Sequence, residues 1–250
     1  MNKLFFLIVF SIIFLFCNIS IAQDITFEAS YVSYDLEKVE RWKATTTIEK
    51  IDKDVFKLKE IGSGKYYPFK EKISWKSVLD FEVVKKRIKL KKSTRNIFDK
   101  TGNLIAIEKQ SYNYHTGKLI YSYQDISNGT ITEKNFHFTR DIINRLALPI
   151  YIREFLKNGE TKRAVQMITE EPKLYNMNLR VVSDEIINIG NKKEEVLKIV
   201  IDPNLGLFNI FKVLIPKSYI WHNKDDEFTV RMYKGLESSP SSPKIRIVVE

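Results

Sequence analysis

The sequence predicts a mainly β protein in which a single large curved antiparallel sheet, a half-barrel, wraps around one kinked α-helix. Two-residue alternation of apolar and polar residues dominates the chain after Thr26, as is typical of strands. Short loops separate these segments, and short loops join antiparallel neighbours. A helical period occurs in residues 141–157. A sheet of about a dozen strands cannot stay flat, so it must curl or split in two.

The first half of the chain predicts a meander of strands. Glycine-containing stretches such as Gly62–Gly64, Asp99–Asn103 and Thr116–Gly117 predict the turns between them. The alternating segments are Thr26–Tyr34, Arg41–Ile51, Val55–Ile61, Tyr66–Trp75, Val78–Val84, Thr94–Phe98, Leu104–His115, Leu119–Asp125 and Thr130–Phe138.

The period changes after Thr139, which is placed to cap a helix. Pro149 should kink or divide this helix, and Gly159 follows its end. More than half of the helix circumference is apolar, which indicates burial on more than one side. The residues that follow the helical spacing are Ile143, Leu146, Ala147, Ile150 and Tyr151.

Strands resume after the helix and continue to the end of the chain. The predicted segments are Lys162–Thr169, Lys173–Val182, Glu194–Ile201, Phe208–Ile215, Phe228–Tyr233 and Ile245–Val249. Asp202–Asn204 predicts a loop between two of them. No long Pro/Ser-rich linker and no solenoid repeat interrupts the pattern. Residues 23–250 are therefore expected to form a single β-rich domain.

The amino terminus has the layout of a secretory signal peptide, residues 1–22. A basic head with Lys3 precedes the apolar run Leu4–Cys17, and small residues stand at Ser20 and Ala22. An uncleaved membrane anchor is the alternative, but the run would reach only about 21 Å of a roughly 30 Å hydrocarbon core. In lipoprotein signals the residue before the modified Cys is small. Lipidation of Cys17 is disfavoured because the large Phe16 precedes it. We expect an exported protein of the periplasm or cell envelope of a Gram-negative bacterium.

The composition excludes several classes of protein. The chain has 250 residues, one Cys, 44% hydrophobic residues and a net charge of +10. One Cys excludes a disulfide scaffold and a zinc ribbon. Export separates the chain from genomic DNA and RNA, so we expect no nucleic-acid partner. The expected partners are a lipid or amphiphile, an anionic membrane surface, or an envelope protein.

Motifs for catalysis and metal binding are missing. The three histidines, His115, His137 and His222, have no HxH, HExxH or HxxxH spacing, and no GxSxG motif occurs. The adjacent acidic pairs Glu170/Glu171 and Asp225/Asp226 resemble solvated loop charges, because strand neighbours point to opposite faces. We expect no enzyme activity, no metal site and no cofactor. We expect the histidines to lie at the surface or in turns.

Seven basic residues cluster between Lys85 and Arg95. If the stretch is an extended strand, its basic side chains share one face, and Ile88 and Leu90 point to the other. We expect the basic face to contact an anionic surface. The alternative is a solvated edge face that blocks aggregation. The residues of the predicted basic face are Lys85, Arg87, Lys89 and Lys91.

Aromatic residues are in excess, and several are evenly spaced on neighbouring strands. They form either one wall of an apolar ligand cavity or ordinary core packing against the helix. The candidate cavity residues are Trp42, Tyr112, Tyr114, Tyr121, Tyr123, Phe136 and Phe138.

Residues 110–250 resemble an exported bacterial domain-of-unknown-function family, number 3108. The resemblance is carried by Leu148–Arg153 followed by Gly159, and by Trp221, Asp226 and Thr229–Gly235. That family is similar in fold to envelope lipoprotein carriers, the LolA/LolB-like half-barrels. The resemblance implies a curved sheet around a helix and an apolar cavity, and it supplies no catalytic residues.

The expected function is non-catalytic binding or carriage of a lipophilic or amphiphilic molecule in the envelope. A structural or assembly module that contacts other envelope proteins is the first alternative, and it predicts a large exposed apolar patch. A carboxylate-based hydrolase is the second. It requires two carboxylates that face one pocket about 5–10 Å apart.

Overall fold

The structure is a computed structural model that describes residues 25–189, 192–204, 217–224 and 230–249, with side chains described from Phe27 onward. The predicted signal peptide 1–22, with Cys17, lies outside the described residues. So do the predicted strand Phe208–Ile215 and the acidic pair Asp225/Asp226.

In the described part of the chain, fifteen strands form one open curved sheet, which confirms the predicted fold class. The first eight are β1 (Ile25–Tyr34), β2 (Glu40–Asp52), β3 (Val55–Gly64), β4 (Ile73–Val84), β5 (Arg87–Phe98), β6 (Leu104–Asn113), β7 (Lys118–Asp125) and β8 (Thr130–His137). The others are β9 (Ile142–Ile143), β10 (Lys162–Ile168), β11 (Leu174–Ile189), β12 (Lys192–Pro203), β13 (Ser218–Asn223), β14 (Val230–Leu236) and β15 (Lys244–Val249). The sequence pattern did not predict β13, and the predicted loop at Asp202–Asn204 begins inside β12.

The sheet consists of two antiparallel meanders that meet at β1 and β15. Strands β1 to β8 are sequential neighbours, as are β10 to β15, and β15 pairs with β1. Strand β9 pairs in parallel with β10, and the strand order ends at β8 and β9. The first and last strands therefore lie in the middle of the sheet, and both halves contribute to its concave face.

The helix α1 spans Leu148–Lys157, so the predicted start near Thr139 and the predicted kink are wrong. Pro149 lies in the first turn, where its missing N–H would have no partner in any case, and it therefore starts the helix. The apolar residues Ile142 and Ile143, assigned to the helix by their spacing, form β9 instead. Gly159 ends the helix at a φ of 69°, as predicted.

Two further predictions in the first half are wrong. The predicted turn Gly62–Gly64 is the end of β3. The predicted strand Tyr66–Trp75 is a loop until β4 begins at Ile73. A Cβ on Gly62 would lie 2.2 Å from the ring of Trp75. Glycine is therefore needed there because an aromatic ring packs directly on the backbone.

A β-bulge at Lys91 divides β5 into two halves. Leu90 pairs with Phe81 and Lys92 with Asp80, so Lys91 is an extra residue on β5. Because alternation has a period of two, one extra residue exchanges the faces. Before the bulge Ile88 and Leu90 are buried, whereas after it the odd-numbered residues Ser93, Arg95 and Ile97 are buried.

Two apolar clusters form the core. The larger one packs α1 and β9 against the concave face, with Leu58, Leu79 and Leu90 almost fully buried. The smaller one is built around Trp75, whose ring centre lies 5.9 Å from that of Trp42 and 5.1 Å from that of Tyr66. In the described part of the chain, no helix is long and apolar enough to cross a membrane.

Candidate functional site

A cavity of about 480 Å³ lies between the start of α1 and the concave face of the sheet. Ligand pockets span roughly 300–1,000 Å³ and are mostly apolar with a few polar groups. Both meanders and the helix contribute to this cavity, which is why its wall was not evident from any one segment. Its apolar wall includes Phe27, Ile48, Leu148, Met177, Ile220 and Val249.

Eight charged residues of the described chain line the cavity, and five of them lie together in one part of the wall. We call these five the charged cluster, which consists of Glu60, Arg95, Glu108, Arg145 and Glu170. Strands β3, β5 and β6 carry the first three residues. Arg145 precedes α1, and Glu170 follows β10. The fold thus brings together five charged residues that are far apart in sequence.

Arg145 and Glu60 form a two-pronged ion pair. Nη1 and Nη2 of Arg145 donate to Oε2 and Oε1 of Glu60 at 3.0 and 2.6 Å, and Trp75 Nε1 donates to Oε1 at 2.7 Å. Burial raises the pKa of Glu60, but Arg145 and these hydrogen bonds outweigh burial and hold that pKa below its usual range. Glu60 is therefore ionised, and both of its oxygens are occupied.

Arg95 and Glu170 form a second pair. Glu170 Oε1 accepts hydrogen bonds from Arg95 Nη1 at 2.8 Å, Tyr66 OH at 2.7 Å and Arg145 Nε at 3.2 Å. Its side chain is only 16% exposed, so the prediction of a solvated loop charge is wrong for Glu170. The half of β5 after the bulge and the loop after β10 together line this part of the cavity.

The guanidinium of Arg95 is held between aromatic rings. Its central carbon lies 4.4 Å from the ring centre of Tyr66 and 5.2 Å from that of Trp75. The side chain is 6% exposed. Within the described residues, its Nε and Nη2 are buried without a hydrogen-bond partner. A buried donor without a partner costs about 1–3 kcal/mol, so these two groups require an explanation.

Glu108 is the least compensated carboxylate of the cluster. It lies directly opposite Arg95 in the β5–β6 pair, and Gln110 Nε2 donates to its Oε1 at 2.9 Å. Burial, followed by repulsion from Glu170, raises the pKa of Glu108 to about 7. Glu108 thus exchanges a proton near neutral pH, whereas Glu60 remains ionised.

A neutral polar chain joins the cluster to the helix. Asn144 Nδ2 donates to Gln110 Oε1 at 3.0 Å, and Asn144 Oδ1 accepts from the backbone N–H of Ala147 at 2.9 Å. Tyr112 OH also donates to Gln110 Oε1. Ala147 is the residue before α1, so Asn144 fixes the backbone just ahead of the helix, although no side chain of the described residues caps the helix itself.

A further buried carboxylate, Glu237, fixes Trp42 at the cavity wall. Glu237 Oε1 accepts from Trp42 Nε1 at 2.7 Å, and Oε2 accepts from Arg41 Nη2 at 3.0 Å. The backbone N–H of Tyr67 also donates to Oε2 at 3.0 Å. Three segments of the chain therefore meet at this one carboxylate.

The structure places the predicted cavity aromatics in two groups. Trp42 lines the cavity, but none of the other six is among the described residues that form its wall. Their part of the concave face is covered by the segment 138–147, and the rings of Tyr114 and Phe138 are in edge contact at 5.1 Å. The larger cluster contains Tyr112 and Phe138, with Tyr114 and Phe136 packed against it, and Tyr123 packs against the smaller cluster. Tyr121 is buried but belongs to neither cluster, and its OH donates to the carbonyl oxygen of Glu170 at 3.4 Å.

The predicted basic face is only partly assembled. Lys85 is in the β4–β5 turn with a φ of 50°, so it does not continue the face of β5. Arg87 pairs with Asp141 at 2.6 Å and Lys91 with Glu82 at 2.9 Å. Lys89 Nζ lies 5.5 Å from the ring centre of Tyr114. Contact with an anionic surface stays a prediction.

The histidines lie on separate elements. His115 and His137 are exposed, as predicted, but His222 is buried in β13, with its Nδ1 2.7 Å from the carbonyl oxygen of Asn223. Among the described residues, no group of three or more His, Cys, Asp or Glu side chains is arranged to hold a metal ion.

The sequence patterns did not predict the charged cluster, because its residues interrupt strand faces that are otherwise apolar. In β3, Glu60 shares a face with Phe56 and Leu58, and in β6, Glu108 shares a face with Ala106. A charged residue on the buried face of an alternating strand was the signal that could have found both. Arg95 could not be found this way because the bulge changes its face.

Comparisons with known proteins support the fold. No protein-family model and no curated protein sequence matches the chain. The structure is similar to the crystal structure of a β-barrel-like protein of the domain of unknown function DUF1849 from Brucella abortus. The sequence identity is 7%, the match covers 89% of this chain and 95% of that one, and the TM-score is 0.50. The similarity concerns the fold alone, and the resemblance to family 3108 and to LolA/LolB-like carriers is not confirmed.

Proposed function

We propose that this chain binds or carries a lipophilic or amphiphilic molecule in the cavity between α1 and the sheet, without catalysing a reaction. The observation that carries the proposal is a cavity of about 480 Å³ with a mainly apolar wall. An apolar chain gains about 25 cal/mol for each Å² of surface removed from water, so such a wall favours an apolar ligand. The cell envelope remains the proposed location.

Binding of a neutral apolar fluorophore, N-phenyl-1-naphthylamine, tests the proposal. Thr46 lies on the buried face of β2 and lines the cavity, so Thr46→Phe should fill part of it and weaken binding by about tenfold or more. Thr47→Phe is the matched control, since Thr47 is on the other face of the same strand. Equal binding by both variants, or no binding by the unaltered chain, would contradict the proposal.

Contact with an anionic membrane surface is a second proposal, and it is carried by the exposed turn at Lys85 and Lys86. Each basic residue near such a surface contributes about 1 kcal/mol. Replacement of Lys85, Lys86, Arg87, Lys89 and Lys91 by Gln should therefore weaken salt-sensitive binding to liposomes that contain anionic lipid. Unchanged binding would contradict this proposal.

The two alternative functions have weaker support. Glu60, Glu108 and Glu170 do line one cavity, as a hydrolase would require, but the ion pair with Arg145 occupies both oxygens of Glu60. An assembly module would expose a large apolar patch. The most exposed apolar residues of the described strands, Ile131 and Ile186, are on β8 and β11, far apart in the strand order.

A further inference from the structure

Two of the four carboxylates that the described residues contribute to the cavity wall keep one oxygen unused. Gln110 donates to Oε1 of Glu108, and the three donors that reach Glu170 all bind its Oε1. Oε2 of Glu108 and Oε2 of Glu170 receive no hydrogen bond from the described residues, yet both atoms retain accessible surface. Glu60 and Glu237 differ, because donors occupy both of their oxygens. The free groups at the wall are therefore acceptors.

The donors of the charged cluster are not available to a ligand. Nε and Nη2 of Arg95 have no partner among the described residues, but they are closed off from the cavity, and the guanidinium lies between two aromatic rings. Arg145 uses all three of its nitrogens, two for Glu60 and one for Glu170. A ligand group that binds at this part of the wall must therefore donate hydrogen bonds.

The charges of the cluster favour a donor that is also a cation. Arg145 balances Glu60, and Arg95 balances Glu170. Glu108 is left without an ion pair among the described residues. A buried carboxylate is stabilised when a cation pairs with it, and a ligand could supply that cation.

The two free oxygens belong to residues that lie close together. Arg95 is directly opposite Glu108 in the β5–β6 pair, and it donates to Glu170 at 2.8 Å. On the other side of β6, Tyr121 is a diagonal neighbour of Glu108, and its OH donates to the backbone carbonyl of Glu170 at 3.4 Å. Both strands that flank Glu108 therefore contact Glu170, which brings the two carboxylates to one end of the apolar cavity.

We infer that the cavity takes an amphiphile with a protonated primary-amine head group, which donates to the free oxygens of Glu108 and Glu170 with its apolar chain along the rest of the wall. An ammonium group has three donors and no acceptor, so it matches a wall that offers acceptors and lacks a cation. This inference rests on the proposed function and adds the chemical class of the ligand.

The surroundings of Glu108 set the pH dependence of binding. The charged groups that face it are Arg95 from β5, Arg145 from the segment before α1 and Glu170 from the loop after β10. The tyrosines close to it are Tyr112, Tyr121 and Tyr123, whose hydroxyls have raised pKa values and stay neutral. An ammonium group beside Glu108 favours its ionised form. The affinity should therefore rise as the pH increases through about 7, the pKa of Glu108 in the free chain.

Displacement of N-phenyl-1-naphthylamine by three ligands of equal chain length tests the inference. At pH 8.5, where an alkylamine is still protonated, decylamine should compete about tenfold or more better than decanol and decanoate. Its affinity should be about tenfold or more lower at pH 5.5. Equal or weaker competition by decylamine would overturn the inference, while binding of the fluorophore would uphold the proposed function. No binding of the fluorophore itself would overturn the proposed function instead.

A variant of Glu108 tests the assignment of the head group. Glu108→Gln has nearly the same shape but cannot ionise, so the preference for decylamine over decanol should fall about tenfold and should not change between pH 5.5 and pH 8.5. The control Glu133→Gln, on the exposed strand β8, removes the same charge and should retain both the preference and its pH dependence. An unchanged preference in folded Glu108→Gln would overturn the assignment. If that variant does not fold, the three-ligand comparison still decides the question.

A quaternary amine separates hydrogen bonding from charge. Decyltrimethylammonium carries the same charge as protonated decylamine but has no N–H group, so it should compete about tenfold less well at pH 8.5. Equal competition by the two cations would overturn the proposed hydrogen bonds to Glu108 and Glu170.

Discussion

The two halves of β5 carry basic side chains into opposite environments. Before the bulge Arg87 is exposed and pairs with Asp141, and at the bulge Lys91 is exposed and pairs with Glu82. After the bulge, Arg95 is 6% exposed and is enclosed by Tyr66, Trp75 and Glu170. One extra residue therefore separates surface charge from the wall of the proposed ligand site, and net charge alone does not distinguish the two.

Deletion of Lys91 should have the largest effect, because it removes the bulge itself. Without the extra residue, either half of β5 must turn its buried side chains toward water. We expect no folded protein, or a free energy of unfolding lower by about 4 kcal/mol or more. Urea denaturation followed by circular dichroism measures it. Lys91→Ala keeps the residue count and should cost less than about 1 kcal/mol, so equal stability of the two variants would show that the bulge is unimportant.

Arg95→Ala should be the next largest effect. It breaks a buried ion pair with Glu170 and removes the cation–π contacts with two aromatic rings, and breaking a buried pair costs about 3–5 kcal/mol. The same denaturation experiment measures the loss. If Arg95→Ala lowered the free energy of unfolding only as much as Lys91→Ala, the buried half of β5 would contribute no more to stability than the exposed half.

The pH dependence of stability should distinguish the buried half. The pKa of Glu108 is about 7 in the folded chain, above its unfolded value of about 4.3, so the folded state binds more protons between these values. Stability due to this group is present at low pH and is lost as the pH rises toward 7. Relative to Glu108→Gln, the unaltered chain should lose a few kcal/mol between pH 5 and pH 8. Parallel stability curves of the two chains would contradict the raised pKa.

Arg87→Ala should have the smallest effect. Its partner Asp141 is within 2.6 Å, but the Arg87 side chain is 54% exposed, and exposed pairs contribute about 0–1 kcal/mol. Thermal denaturation at low and high salt should show a small difference that decreases with salt. A loss as large as that of Arg95→Ala would show that surface pairing at the start of β5 stabilises the fold more than its exposure suggests.

Local patterns predicted most of the fold but little of the site. Alternation located most strands and the meander, because each strand has one buried face. It assigned Ile142 and Ile143 to the helix, since apolar residues beside a helix fit either period until tertiary pairing decides. The charged cluster depends on β3, β5, β6 and two loops meeting in space, and the side on which Arg95 lies depends on one bulge. Glu60 and Glu108 do have a local signal, as charged residues on buried strand faces, but no local pattern predicts that they meet Arg95 or where the bulge lies.

Native mass spectrometry of the protein taken from the cell envelope of its own host tests the proposed ligand cavity most directly. The unaltered chain and Thr47→Phe should carry one amphiphile each as an added mass, and Thr46→Phe should have lost it. Consistently empty unaltered protein, with no lipid taken up from labelled vesicles, would contradict the proposal that the cavity between α1 and the sheet binds a ligand.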